Sequence, residues 1–111
     1  MADLTPMQLT IMERFALLFA RDKQAGRPPL AFNLLDIAEA RPDVAESLRS
    51  GSLPFGEGRQ SAADNIEQAL NPKEASLAVI ALEKIKILEK VKPDRDGFTR
   101  WRLAQELAAK L

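Results

Sequence analysis

The chain has 111 residues, 46% of them hydrophobic, with 16 basic and 16 acidic side chains and neither cysteine nor histidine. This length suits a single domain with its own core, covering residues 1–111. The missing residue types exclude disulfides and cysteine metal sites, and they remove the usual acid–base group and the commonest transition-metal ligand, so we expect a non-enzyme without a cofactor.

Helix-forming residues dominate the chain, whereas valine and threonine occur only three times each. This composition predicts an all-α fold, a compact bundle of five to six short helices. The first helix begins after Thr5, which is a good N-cap, with Pro6 at the first helical position and Gln8 completing a capping box. Gly26 offers a stop at its end.

The apolar positions of this first helix cover nearly half of its circumference. They are Leu9, Ile11, Met12, Phe15, Ala16, Leu18 and Phe19. So wide a face predicts either a central core helix or a helix shared between the core and a dimer interface. In the second interpretation Ile11 and Leu18, at one edge of the arc, are the residues through which the protein self-associates.

The middle of the chain is punctuated by proline and glycine. A second helix is predicted over residues 30–40 and is stopped by Pro42, which itself suits the start of a third helix that ends at Gly51. Residues 51–59 hold three glycines and a proline, which predicts a loop. A fourth helix is expected from Ser61.

A fifth helix is predicted after Asn71, which resembles an N-cap and precedes a proline. We expect Leu77, Ile80 and Ala81 to face the core in this helix. Lys84 falls within the same apolar arc, which is an irregularity in the pattern.

Residues 85–103 allow two interpretations. As helices, the fifth helix continues to Val91, a turn covers 92–97, and a final helix places one apolar stripe on the core. That stripe is Phe98, Trp101, Ala104, Leu107, Ala108 and Leu111. As strands, alternating residues before and after the Pro/Gly turn form a β-hairpin.

Two helices followed by a charged hairpin is the element order of a winged helix-turn-helix. About a third of the chain resembles that pattern, with residues 61–85 as the two helices and 84–102 as the wing. The resemblance implies a transcriptional regulator that binds double-stranded DNA.

Basic residues gather near the C-terminus, where residues 84–111 hold eight of them against four acidic ones. Arg100 and Arg102 flank Trp101, and such a cluster can follow a nucleic-acid backbone while the ring stacks. The competing interpretation makes Trp101 a core anchor with its two arginines in solvent. The zero net charge of the chain argues against strong non-specific binding.

No segment has the pattern of a catalytic or metal site. Residues 94–97 resemble part of a calcium-binding loop, but the first and last ligand positions would be Lys92 and Leu103, which removes the site. The glycines of 51–58 are not followed by the Gly-Lys of a phosphate-binding loop. No serine has a histidine to serve as its base.

The sequence also predicts where the protein is located. Residues 1–6 lack the basic start of a signal peptide, and the longest uncharged apolar run, 15–20, is far shorter than the roughly 20 residues of a membrane span. A chain without cysteine makes no use of an oxidising compartment. We expect a cytoplasmic protein with no membrane contact.

Two hypotheses on function follow. The first is a non-catalytic regulatory or protein-binding module that acts through a helical surface, as a homodimer in one version. The second is a winged-helix DNA-binding regulator, with Arg100, Trp101 and Arg102 at the nucleic acid. Neither needs a small-molecule substrate. The conformation of residues 85–103 discriminates them, because a hairpin favours the second hypothesis and a helix pair disfavours it.

Overall fold

The computed structural model describes residues 3–27, 31–55, 57–93 and 96–109. In these ranges the elements are α1 (Pro6–Gln24), α2 (Leu34–Ala38), α3 (Pro42–Arg49), α4 (Arg59–Glu67), α5 (Pro72–Lys84), β1 (Leu88–Val91), β2 (Arg100–Leu103) and α6 (Gln105–Ala108). The predicted helical fold with a C-terminal hairpin is confirmed. The alternative in which residues 85–103 form a helix pair is wrong.

Several predicted boundaries are confirmed because they depend on local signals. The Gln8 N–H donates to Thr5 Oγ1 (3.2 Å) and the Thr5 N–H donates to Gln8 Oε1 (3.1 Å), so the capping box of α1 is formed. Pro42 begins α3, and Asn71 caps α5.

Other predicted boundaries are wrong. α2 is shorter than the predicted 30–40 helix, and residue 30 lies outside the described ranges. The predicted final helix is reduced to α6, because residues 100–103 are a strand.

The core is built around α1, which contacts α2, α3, α4, α5 and β2. Ile11 and Leu18 are 0% and 1% exposed. This burial supports the core interpretation of α1 and argues against the two residues as self-association contacts, because a second copy cannot reach side chains that the chain's own core encloses. Self-association itself stays a prediction.

α5 packs against α1 and α2 and has little contact with α4. The winged-helix resemblance had predicted the helix now seen as α4 as the partner of α5. Instead α4 packs on α3, and the pair forms a helical hairpin inserted between α2 and α5. Two backbone hydrogen bonds close its base, from Arg41 N–H to Ile66 O (2.8 Å) and from Leu70 N–H to Ala38 O (2.8 Å).

Arg14 joins this inserted hairpin to the rest of the core. Its side chain is 1% exposed and donates to Ile37 O (2.9 Å), Glu39 O (3.1 Å), Asn65 O (2.7 Å), Asn65 Oδ1 (3.1 Å) and Gln68 O. The first two carbonyls lie at the end of α2 and the others at the end of α4. Burial lowers the pKa of Arg14 to about 10, so it remains a cation at neutral pH. The sequence analysis did not single out Arg14, although its neighbours on the helix surface include Ile11, Leu17 and Leu18.

The hairpin is held on the core by its second strand. β1 and β2 pair antiparallel, with Leu88 opposite Leu103 and Lys90 opposite Trp101. On its other edge β2 is bridged by Phe32, whose N–H donates to Trp101 O (2.8 Å) and whose carbonyl accepts from Trp101 N–H (2.9 Å). Phe32 lies just before α2, so the hairpin is tied to the segment between α1 and α2.

Candidate nucleic-acid interface on α5 and the hairpin

α5 has a buried apolar face and an outward face that carries two exposed aliphatic residues. The buried residues are Ala75, Ala78, Val79 and Leu82. At roughly 100° per residue the opposite face is a single stripe, which we call the outer stripe of α5. It consists of Lys73, Leu77, Ile80 and Lys84, all of them exposed.

The prediction that Leu77 and Ile80 face the core is therefore wrong. Leu77 is 64% exposed and Ile80 is 44% exposed. α5 instead packs against α1 and α2 with its buried face, which holds Ala75, Ala78, Val79 and Leu82. The position of Lys84 within the predicted apolar arc was the signal that this arc faces solvent.

Trp101 is a core residue that fastens the hairpin to α5. Its side chain is 6% exposed, and its Nε1–H donates to Glu83 Oε1 on α5 (2.8 Å). Opposite residues of an antiparallel pair share a face, so Lys90, Trp101, Leu88 and Leu103 lie on the same side of the hairpin. The buried ring cannot stack on a nucleic-acid base, which argues against the predicted contact role of Trp101.

Arg100 and Arg102 lie on the opposite face of the hairpin, and both are held in ion pairs. Arg100 Nη2 lies 2.7 Å from Asp96 Oδ2, and Arg102 Nε lies 3.2 Å from Glu89 Oε2. The hydrogen bond from Arg100, followed by that from the Phe98 N–H, lowers the pKa of Asp96. The ion pair between Arg100 and Asp96 is thus formed above the ordinary pKa of an aspartate carboxyl. It is lost only as the pH falls through the lowered pKa of Asp96.

In contrast to these paired arginines, five lysines of α5 and the hairpin are exposed and available to a ligand. They are Lys73, Lys84, Lys86, Lys90 and Lys92. Within the described ranges none of these ammonium groups lies in an ion pair, whereas six arginines do: Arg21, Arg27, Arg41, Arg49, Arg100 and Arg102. Sequence reasoning selected the paired arginines and missed the unpaired lysines, although their clustering near the C-terminus was visible.

The zero net charge hides an uneven distribution. Residues 1–71 hold seven basic and ten acidic side chains, and residues 72–111 hold nine basic and six acidic ones. The positive part contains α5 and the hairpin. A cationic surface can therefore exist in a chain with no net charge.

Three of the lysines surround the junction between α5 and the hairpin. Lys84 is the last residue of α5. Lys86 lies in the tight turn that follows, with a φ of 65°. Lys90 lies on the hairpin face that Trp101 joins to α5. The fold therefore places cationic side chains from the helix, the turn and the strand around one corner of the molecule.

The described part of the surface also includes apolar clefts, two of which lie beside the elements discussed above. One, of about 390 Å³, lies between α2 and the start of α5 and is lined by Leu35, Ala38, Glu39, Leu70 and Pro72. The other, of about 220 Å³, lies between α1, β2 and α6 and is lined by Phe15, Phe19, Phe32, Arg102, Leu103, Gln105 and Ala108.

Among the described residues, no three carboxylates come together as they would around a metal ion. None of the helices in the described ranges combines the length and the apolar character needed to cross a membrane. A comparison with protein-family models, with curated proteins and with solved structures finds no match to this chain.

Proposed function

We propose that the protein is a non-catalytic module that binds double-stranded DNA through the outer stripe of α5 and the lysines of the hairpin. The observation that carries this proposal is the set of five exposed lysines on these two elements, none of which forms an ion pair with another described residue. Phosphate groups attract unpaired cations, and the release of counterions drives such binding.

The dimensions of α5 support this proposal. Its 13 residues extend over about 20 Å, and a major groove about 12 Å wide admits an α-helix. Helix-turn-helix proteins insert the second helix of a packed pair in this way while other elements contact the backbone. Here α2 and α5 are the packed pair, and the hairpin beside the end of α5 extends the cationic surface.

In this proposal lysines contact the DNA phosphates, whereas the sequence had suggested Arg100 and Arg102. Arg100 and Arg102 would have to leave their carboxylate partners to bind phosphate, whereas Lys84 and Lys90 have no such partner among the residues that the structure describes. Lysine offers a point charge on a flexible stem, which suits phosphate contacts that carry no sequence information.

The test is a fluorescence-anisotropy titration of a 20-base-pair duplex at several salt concentrations. We expect the variant Lys84→Ala/Lys90→Ala to weaken binding and to reduce the slope of log K against log salt by about two units, since each phosphate contact contributes about 0.9. Lys23→Ala/Arg59→Ala is the matched control, because it removes two exposed charges away from α5 and the hairpin.

Two outcomes would contradict the proposal. One is the absence of measurable binding by the unmodified protein at low salt. The other is an equal loss of affinity in the control variant, which would mean that the binding depends on overall charge and not on the surface formed by α5 and the hairpin.

A protein-binding module remains a second candidate, and one observation favours it. Leu35 on α2 is 62% exposed at the edge of the 390 Å³ cleft, and exposed apolar surface of this kind is typical of protein contacts. If the cleft mediates self-association, Leu35→Lys should leave a folded monomer while the unmodified protein sediments as a dimer. Equal sedimentation of the two proteins as monomers would argue against this homodimer.

A further inference from the structure

We infer that α5 recognises the 5-methyl groups of thymine in the major groove through Leu77 and Ile80. This inference rests on the proposed function and adds to it the feature of the duplex that is recognised. Its basis is the combination of aliphatic and cationic side chains on the outer stripe of α5.

The two aliphatic side chains are placed as neighbouring contacts. Leu77 and Ile80 are three residues apart on the same helix face, which separates them by about 4.5 Å along the helix axis. Successive bases of one DNA strand rise by about 3.4 Å, a similar distance. Two adjacent bases can therefore meet the two side chains at the same time.

The lysines of the outer stripe bracket this apolar pair. Lys73 and Lys84 are eleven residues apart, or about 16 Å along the helix axis, so one lies beyond each end of the apolar pair. With the helix lying along the groove, their flexible stems can reach phosphates that flank the contacted bases. This charge complementarity favours a duplex as the occupant of the stripe.

The outer stripe has little capacity for base recognition by hydrogen bonds. Of the residue types that form bidentate contacts with guanine or adenine, α5 contains only lysine, and its two lysines lie at the ends of the outer stripe, where the proposed function assigns them to phosphates. The Glu83 carboxylate already accepts a hydrogen bond from the Trp101 Nε1–H. Thymine presents the one apolar group on the base edges of the major groove, and it matches what Leu77 and Ile80 offer.

The test compares duplexes that differ only in this methyl group. We expect a 20-base-pair A·T duplex to bind more tightly than its uracil counterpart, by about fourfold for each methyl group contacted. A G·C duplex should gain affinity when 5-methylcytosine replaces cytosine, because the methyl group returns at the corresponding position of the groove.

The variant Leu77→Ala/Ile80→Ala should abolish both differences and retain the salt dependence of binding. Both residues are exposed, so the variant should fold, which circular dichroism checks. Equal affinities for thymine and uracil duplexes, or a difference that persists in the variant, would overturn the inference and leave DNA binding intact.

Failure of the proposed function would give a different result in these binding experiments. If no duplex binds the unmodified protein at low salt, DNA binding and the inference fall together. Binding of an acidic amphipathic helical peptide in that situation, lost in the same double variant, would identify a protein as the occupant of the outer stripe and would also overturn the inference.

Discussion

Replacement of Arg14 by methionine is expected to lower the free energy of unfolding by at least about 3 kcal/mol. The substitution leaves buried carbonyl groups at the ends of α2 and α4 without their donor, and each unsatisfied buried group costs about 1–3 kcal/mol. Methionine retains much of the arginine volume, so the loss reports the hydrogen bonds more than a cavity.

Urea unfolding followed by circular dichroism measures this effect. Arg49→Met is the matched control, since Arg49 is an exposed arginine on α3 paired with Asp64 and Glu67, and exposed ion pairs contribute little to stability. A similar midpoint for the two variants would contradict the role assigned to Arg14. We also expect the loss of stability in Arg14→Met to be concentrated where α3 and α4 meet α1. Hydrogen exchange measures this loss segment by segment.

Replacement of Trp101 by alanine is expected to cost about 3–5 kcal/mol, the usual range for a buried aromatic side chain. The variant removes packing beneath the hairpin and the hydrogen bond to Glu83. The hairpin should then separate from α5 before the helices unfold, because the Trp101 side chain supplies the hydrogen bond that joins the two elements.

Thermal unfolding and hydrogen exchange of residues 88–103 test this prediction. Phe98→Ala is the control, since it removes an aromatic side chain of the same segment that is 51% exposed. Trp101→Phe should retain most of the packing and lose only the Glu83 contact, so its stability should lie between those of Trp101→Ala and the unmodified protein. A Trp101→Ala variant as stable as Phe98→Ala would show that the hairpin is held by other contacts.

The features that the sequence predicted correctly depend on residues close together in the chain. Thr5 and Gln8 cap α1, Pro42 begins α3 and Asn71 caps α5, as expected. Each of these signals acts within three or four residues, and its energy is nearly independent of the rest of the molecule. The scarcity of β-favouring residues likewise predicted a mostly helical fold.

The candidate site was predicted less well, because it depends on which face of α5 meets the core. That helix has two apolar faces, and the prediction chose the one with Leu77 and Ile80, although Lys73 and Lys84 flank that pair. The helices α1 and α2 pack on the other face, which holds Ala75, Ala78, Val79 and Leu82. The exposed lysines became candidates only when the structure showed which cations have carboxylate partners.

By itself the sequence determined where α1, α3 and α5 begin and that residues 85–103 could form either strands or helices. The tertiary structure decided between these alternatives, because Phe32 supplies backbone hydrogen bonds to Trp101 from 69 residues away in the chain. It also decided the role of Arg14, whose acceptors lie 23 to 54 residues away. Such partners have no local signal, since the energy of a buried hydrogen bond depends on groups that only the folded chain brings together.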